Sequence, residues 1–324
     1  MKKILFASTA LVATAGVAAA ELTIDGSARF GLAYTEDADN TAGVESNTRI
    51  EQRMRVNITG IAETDAGVKL EARFRLESNE DANSGIAGRG PGAAGFAVSY
   101  GGLRVDVGNV SDVLDSGDQV NYYGYGIGFT SFLEQTEVWY DTDLDDTIGG
   151  FGAGSQDATT IKARYTVGDF SASLSYTDDK TNGGEETQLG LGYTFANGMA
   201  VGAVYGTDSS ASAFTADGEV GDYWVLSVSG SAGALGYSAM VGDADTFDSA
   251  AVDGGLAYGI SVNYEVSSAT AIQGVISGGG RDASETAYGL GFTHGLGGGV
   301  TLAGGVGSNS DDKMQADLGV KFKF

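Results

Sequence analysis

Cysteine is absent from the 324-residue sequence, proline occurs once (Pro91), histidine once (His294), and basic residues are scarce: 18 Lys+Arg against 43 Asp+Glu. Without cysteine there is no disulfide framework and no thiolate chemistry. A single histidine removes His-based metal sites and a Ser/His/Asp triad inside a membrane. His294 falls at an expected short turn, where it would be solvated. The acidic excess argues against nucleic acid as a partner. After residue 20 no stretch approaches 18 consecutive apolar residues, so no membrane-spanning helix is expected. That does not exclude a membrane, because a barrel strand needs only about 9–11 alternating residues.

What the chain does have is alternation. Met314, Ala316, Leu318, Val320, Phe322 and Phe324 share one face of the last segment, and Gln315, Asp317, Gly319, Lys321 and Lys323 share the other. One apolar face and one polar face suit a wall with lipid outside and water inside. At the other end, Lys2 and Lys3, the apolar stretch Ile4–Val17 and Ala18-Ala19-Ala20 before Glu21 read as a cleaved secretory signal peptide, residues 1–20. Its removal takes two lysines and no acids, moving the formal net charge from −25 to −27. The remaining length fits one large all-β domain, residues 21–324. Aromatic residues at 10% of the chain argue against acidic disorder. The 53 glycines with one proline fit tilted strands whose backbones approach closely, and not a Pro-rich linker.

Alternation of period two places strands at about 22–34, 49–59 and 68–77. Weaker versions follow at 94–100, 102–108, 159–167, 170–177, 187–195, 199–206, 222–230, 235–242, 255–264, 270–277, 286–294, 299–307 and 314–324. Sixteen is an even number, as bacterial transmembrane barrels have. Short turns (Glu63–Ala66, Gly168-Asp169, Ala196–Gly198, His294–Gly298) alternate with longer, mostly acidic loops (Thr35–Ser46, Asp178–Glu186, Thr207–Asp222, Asp243–Asp253). Short turns at one rim and long loops at the other are a barrel's habit. Aromatic residues of the apolar face, among them Tyr34, Tyr193, Tyr205, Trp224 and Phe292, sit toward strand ends, as two interfacial girdles require.

One connection breaks the scheme. Residues 109–158 show no sustained alternation, yet carry Val110, Val113, Leu114, Tyr122, Tyr123, Tyr125, Phe129, Phe132, Leu133, Trp139 and Tyr140. So much apolar surface must pack against something, and the barrel interior is what is available. The segment is also acidic: Asp112, Asp115, Asp118, Glu134, Glu137, Asp141, Asp143, Asp145 and Asp146. Opposite in charge, Arg29, Arg49, Arg53, Arg55, Lys69, Arg73, Arg75 and Arg104 share the parity of the polar faces early in the chain. The Glu63–Ala66 turn is expected to bring Arg55 beside Arg73 or Arg75. A basic wall facing an acidic inward loop across water would screen solutes by size and charge. The bland alternative is that these arginines are ion-pair partners within the wall.

Other motifs carry less. Gly124, Gly126 and Gly128 precede no helix and are not a phosphate-binding loop; Asn57-Ile58-Thr59 matches a glycosylation sequon but lies within a strand. No cofactor is required. The acidic loops could hold Ca2+ through carboxylate and carbonyl oxygens, although no stretch matches an EF-hand or a Gly-Gly-x-Gly-x-Asp repeat.

The leader, the arginine-bearing first strands, the long loop after strand five and the closing Ala316–Phe324 resemble the general diffusion porins of Gram-negative bacteria, in particular their alphaproteobacterial branch. The resemblance covers the whole chain after the leader. It implies a non-enzymatic outer-membrane channel for small hydrophilic solutes and ions, a homotrimer of 16-stranded barrels, each pore narrowed by its third loop. It also implies a basic wall of Arg29, Arg53, Arg55, Arg73 and Arg75 against the loop acids of residues 109–146, and Phe324 as the signal read by the outer-membrane assembly machinery. Small outward residues near the chain ends (Gly26, Ala28, Ala316) would let neighbouring walls approach. Two other classes compete: a substrate-specific channel, for which Tyr122, Tyr123 and Tyr125 speak, and a secreted adhesin or calcium-binding β-protein, whose apolar faces would be covered by a second sheet and which would need no detergent.

Overall fold

The computed structural model describes residues 21–38, 46–79, 94–137, 158–179, 184–208, 221–245, 254–281 and 284–324. The expected leader (1–20), much of the long acidic loops, and Trp139, Tyr140, Asp141, Asp143, Asp145 and Asp146 lie outside the described residues. Among the described residues no helix is long and apolar enough to cross a membrane.

Sixteen strands close into one antiparallel barrel. The first six are β1 (Glu21–Thr35), β2 (Thr48–Glu63), β3 (Lys69–Asn79), β4 (Gly95–Tyr100), β5 (Leu103–Gly108) and β6 (Ala158–Val167). The next five are β7 (Phe170–Asp179), β8 (Gly184–Thr194), β9 (Ala200–Asp208), β10 (Gly221–Ala232) and β11 (Leu235–Ala244). The rest are β12 (Gly254–Glu265), β13 (Thr270–Arg281), β14 (Ala287–Gly297), β15 (Val300–Ser308) and β16 (Met314–Lys323). Each strand pairs with its sequence neighbours, and β16 closes on β1 through Arg29 opposite Lys321 and Leu32 opposite Leu318. Full closure leaves no sheet edge, which is what a β-structure in lipid requires.

Two faces follow from the pleat. Leu22, Ile24, Phe30, Leu32, Leu174, Leu189, Leu290 and Leu318 are exposed on the outward one. On a soluble protein that much bare apolar surface would aggregate; in a bilayer it is the solvent-facing side. Inward positions are charged, small or hydroxyl-bearing, with apolar Val204, Val225, Met240 and Val275 where the loop packs.

Two local expectations change. The β2–β3 connection is centred later than expected: Thr64 N donates to Val68 O at 2.9 Å, and Gly67 adopts the left-handed region (φ 79°) to close the turn. The register therefore sets Arg55 opposite Glu77, Asn57 opposite Arg75 and Thr59 opposite Arg73. Cations face an acid, an amide and a hydroxyl there, not one another. The second correction is His294, which is not at a turn. It lies within β14, opposite Thr270, whose Oγ1 is 2.8 Å from its Nδ1. The turn between β14 and β15 is shorter than expected, centred on Gly298 and Gly299.

Candidate functional site

The inward faces of β1 to β6 carry a charged wall. Arg29 Nη2 contacts Glu51 Oε1 at 2.8 Å, Arg55 Nε contacts Glu77 Oε2 at 2.5 Å, and Arg104 Nη2 bridges Glu71 and Asp106 at 2.9 Å each. Arg75 Nε donates to Asn57 Oδ1 at 2.9 Å, and Asn57 Nδ2 in turn donates to Asp25 Oδ1 at 2.8 Å. Cross-strand neighbours of opposite sign offset much of the repulsion that a bare arginine row would carry. Arg53 and Arg73 are half-buried on the same inward faces.

Residues 109–137, between β5 and β6, make most of their contacts with the opposite wall, and reach the charged one through Asp118 and Thr130. A one-turn helix, α1 (Val113–Ser116), starts at Asp112, whose carboxylate accepts from Asp115 N at 2.8 Å, and stops at Gly117 in the left-handed region. From there the segment moves strand by strand around the interior. Ser175 on β7 accepts from Val113 N at 3.3 Å, and Gln188 on β8 accepts from Leu114 N at 2.8 Å. Ser227 on β10 accepts from Asn121 N at 3.3 Å, and Ser261 on β12 accepts from Tyr125 N at 2.9 Å. Asp317 on β16 accepts from Phe129 N at 3.1 Å, Thr130 N at 2.9 Å and Thr130 Oγ1 at 2.6 Å. An extended loop buries amides that no sheet partner satisfies, so a series of inward hydroxyls and amide or carboxylate oxygens replaces that partner.

Packing completes the attachment. Val113, Leu114, Val120 and Tyr122 form one buried cluster with Val204, Tyr223, Val225, Met240 and Ala257 of the wall. Ile127 and Leu133 form a second with Val275 and Ala287. The inward glycines of the last strands make room: a methyl on Gly289 or Gly307 would come to 2.6 or 2.8 Å from Leu133 Cδ2, and one on Gly31 or Gly319 to 2.8 Å from the Phe129 ring. Gly128, at φ 88°, has no room for a side chain beside the Asp317 carboxylate. The apolar residues of the loop thus pack against residues of β9–β14.

The acids expected to face the arginines divide in two. Asp112 is fully buried and caps α1; it faces the wall and not a water-filled gap. Burial, and then the neighbouring Asp115, pushes its carboxyl up from 3.8 to about 7. Asp115 accepts from Tyr123 OH at 2.7 Å. Asp118 accepts from Lys162 Nζ at 3.1 Å and also contacts Arg164, both on β6. These three acids hold the loop in place. Glu134 is different: it lines a cavity of about 720 Å3 together with Arg29, Arg53 and Lys321. Glu137 follows it, bonded through its amide to Glu134 O at 3.3 Å. Arg29 closes the circuit by donating from Nη1 to Thr130 O at 3.1 Å.

Sequence reasoning missed several participants. Lys321 and Asp317 sit 292 and 288 residues from Arg29 in sequence, and only closure of the barrel brings them beside it. Lys162 and Arg164 have the right parity but lie after the long loop, outside the early cluster of cations. Buried Glu186, which accepts from Tyr223 OH at 2.5 Å and from Gln188 Nε2 at 2.7 Å beneath α1, gave no signal at all. Phe324, at the chain terminus, is exposed outward, stacks near Phe322 with centroids 6.1 Å apart, and exchanges backbone hydrogen bonds with Gly26. Its ring lies where a Gly26 side chain would be, so the smallness of Gly26 serves Phe324. Among the described residues no group of three or more His, Cys, Asp or Glu could hold a metal ion, and most of the acidic outer loops lie outside them.

Comparison with known proteins agrees with this geometry. The "Porin" of Fuscovulum blasticum is 30% identical over 316 residues, covering 94% of this chain and 100% of the relative. The "Porin" of Rhodobacter capsulatus is 28% identical over 327 residues with the same coverage. Two solved structures of Rh. blastica porin mutants, each 26% identical, superpose with TM-scores of 0.73 and 0.72 over 94% of this chain and 100% of theirs. The sequence model of the Gram-negative porin family matches residues 7–314. A closed 16-stranded barrel, an inward charged wall and that match together mean that the chain belongs to the Gram-negative porin family, whose members are outer-membrane channels for passive diffusion.

Proposed function

We propose that small hydrophilic solutes and ions cross this barrel through a water-filled gap between the basic wall of β1–β3 and the loop 109–137, screened by size and charge. One observation carries the reading. Apart from the Asp118 contacts with β6 and the Arg29 bond to Thr130 O, the loop's contacts run to the inward faces of β7–β16, so the side it leaves uncovered is the one bearing Arg53, Arg55, Arg73 and Arg75. Glu134 and Glu137 supply the acidic side within residues 109–137, and a charge pair set across a low-dielectric constriction creates a transverse field. The negative formal charge of the chain raises cation concentration at the mouth, and the arginines oppose it. Cation preference is therefore weak and fades as the Debye length falls from about 10 Å at 0.1 M salt to about 3 Å at 1 M.

Further parts of the reading come from the family. Residues 1–20 serve as the export leader and Phe324 as the assembly signal. The barrels associate as homotrimers among outer-membrane lipids, with small outward Ala28 and Ala316 permitting close approach of walls. Single-channel recording of the purified protein in planar bilayers tests the channel: discrete ohmic steps with a slightly cation-shifted reversal potential are expected. No conductance, or strong anion selectivity at low salt, would contradict it. Native mass spectrometry in mild detergent tests the assembly, and monomers alone would rule the trimer out.

A further inference from the structure

The seam where β16 closes on β1 gathers more positive charge than its surroundings answer. Lys321, Arg29 and Arg53 lie directly opposite one another in register across β16, β1 and β2. One step along, Lys323, Ser27 and Arg55 form a second row. All have inward parity. Arg29 and Arg55 have acid partners in Glu51 and Glu77. Among the described residues Arg53, Lys321 and Lys323 have neither an ion pair nor a side-chain hydrogen bond. The nearest acid on β16, Asp317, already accepts three hydrogen bonds from Phe129 and Thr130. Arg29, Arg53 and Lys321 are half-buried like charges in adjacent register, which is unfavourable, and Glu51, Glu77 and Asp317 offset it only in part.

The space beside them has the size and chemistry of a ligand site. The cavity of about 720 Å3 is lined by Arg29, Arg53, Lys321 and Lys323, with Glu134 its only acid among the described residues. Ser27, Thr130, Ser131 and Thr301 add hydroxyls to the same lining. Guanidinium forks and lysine point charges spread over three strands match a tetrahedral oxyanion carrying two charges better than they match a halide. We infer that this seam is a binding station for the phosphate dianion, free or as a monoester, on the path through the pore. It rests on the channel reading above and adds a solute class to it: a weakly cation-preferring mouth leads to an internal site that retains phosphoryl anions.

The test is single-channel conductance at pH 8 with chloride replaced stepwise by inorganic phosphate at constant ionic strength, and in parallel by glycerol 3-phosphate. A saturable fall in conductance is expected, half-complete on the order of 1 mM, the range of weak reversible sites. The double variant Arg53→Gln/Lys321→Gln should raise the half-effect concentration by roughly tenfold, about 1.4 kcal/mol. Lys313→Gln, which removes one charge at the outer rim, should leave it unchanged. Lys321→Gln alone strands no partner and serves where the double variant folds poorly. Block by both probes assigns the phosphoryl group itself; block by inorganic phosphate alone restricts the station to the free ion. A linear, non-saturating response, or equal block of wild type and variants, overturns the station while leaving the channel standing. Absence of any channel would instead fail the porin reading, and equilibrium binding of radiolabelled phosphate to the detergent-solubilised protein then decides the station separately.

Discussion

Strands β1–β6 and strands β7–β16 present similar apolar faces outward and very different faces inward. The first group is studded with Arg29, Arg53, Arg55, Arg73, Arg75, Arg104, Lys162 and Arg164 and their acids. The second offers Ser175, Ser227, Ser238, Ser261 and Ser277 with glycines between, and charge there is limited to a few positions such as Glu186, Asp317 and Lys321. Small hydroxyl-bearing residues suit a wall that must accept another piece of backbone at close range, because they supply acceptors without bulk. Charged residues suit a wall that must stay wet. The inward residues of β7–β16 thus suit strands that receive the loop's backbone, whereas β6 and β1 meet it through the charges of Lys162, Arg164 and Arg29. Burial agrees: Ser238, Ser261 and Ser277 are fully buried although they point into the barrel.

That contrast can be broken from both sides. The largest effect belongs to the face both regions share: Leu174→Arg, outward in the middle of β7, should cost about 2–4 kcal/mol, whereas Leu70→Arg, next to the β2–β3 turn, should cost about 0–1 kcal/mol. Unfolding and refolding into lipid vesicles measures both, and equal costs would contradict the assigned faces. Next comes the loop's anchor. Asp317→Ala leaves the buried Phe129 amide and the Thr130 amide without acceptors, at about 1–3 kcal/mol for each unsatisfied group. Thermal melting should fall, and open-channel current noise should rise as the loop tip loosens; a quiet, unaltered channel would show that packing alone holds it.

Within the charged wall the expected effects are smaller and unequal. Arg55→Ala removes the partner of Glu77 and should cost about 1–2 kcal/mol, discounted for the partial exposure of the pair. Arg53→Ala strands no acid and should stay within about 0.5 kcal/mol, while still shifting the reversal potential toward cations. Equal destabilisation would mean that both arginines are structural.

The last effect concerns pH. Asp112 has its carboxyl raised by burial, so its protonated form is the one the folded loop favours. Its stabilising contribution is fully present below the ordinary value of 3.8 and is lost as pH rises through about 7. Asp112→Asn keeps an acceptor for the Asp115 amide and should flatten that part of the melting profile between pH 4 and 8; an unchanged slope would remove Asp112 as its source.

The strands were legible because lipid on one side and water on the other impose period two on nearly every residue. Met314 to Phe324 shows it plainly, and so do Arg49 to Thr59. The loop was legible as an exception, because Tyr122, Phe129 and Leu133 demand a surface to pack on. Its acids were not separable by sequence. Asp112 and Asp118 have the same composition-level signal as Glu134, yet the first caps a helix and the second pairs with Lys162 and Arg164. Register was also hidden: Gly67's left-handed turn moved Arg55 from the expected arginine neighbours to Glu77. The seam of Lys321, Arg29 and Arg53 depends on closure, which no local pattern announces.

In the proposed channel the arginine wall, and not the loop-bearing wall, screens the passing solute. Single-channel conductance and reversal potential of the variant Arg53→Ala/Arg55→Ala/Arg73→Ala/Arg75→Ala test it most directly. The account predicts a higher conductance and a stronger cation preference than wild type, since bulk and positive charge leave the water-filled side together. Unchanged conductance and reversal potential in a folded variant would contradict it, placing those arginines outside the path.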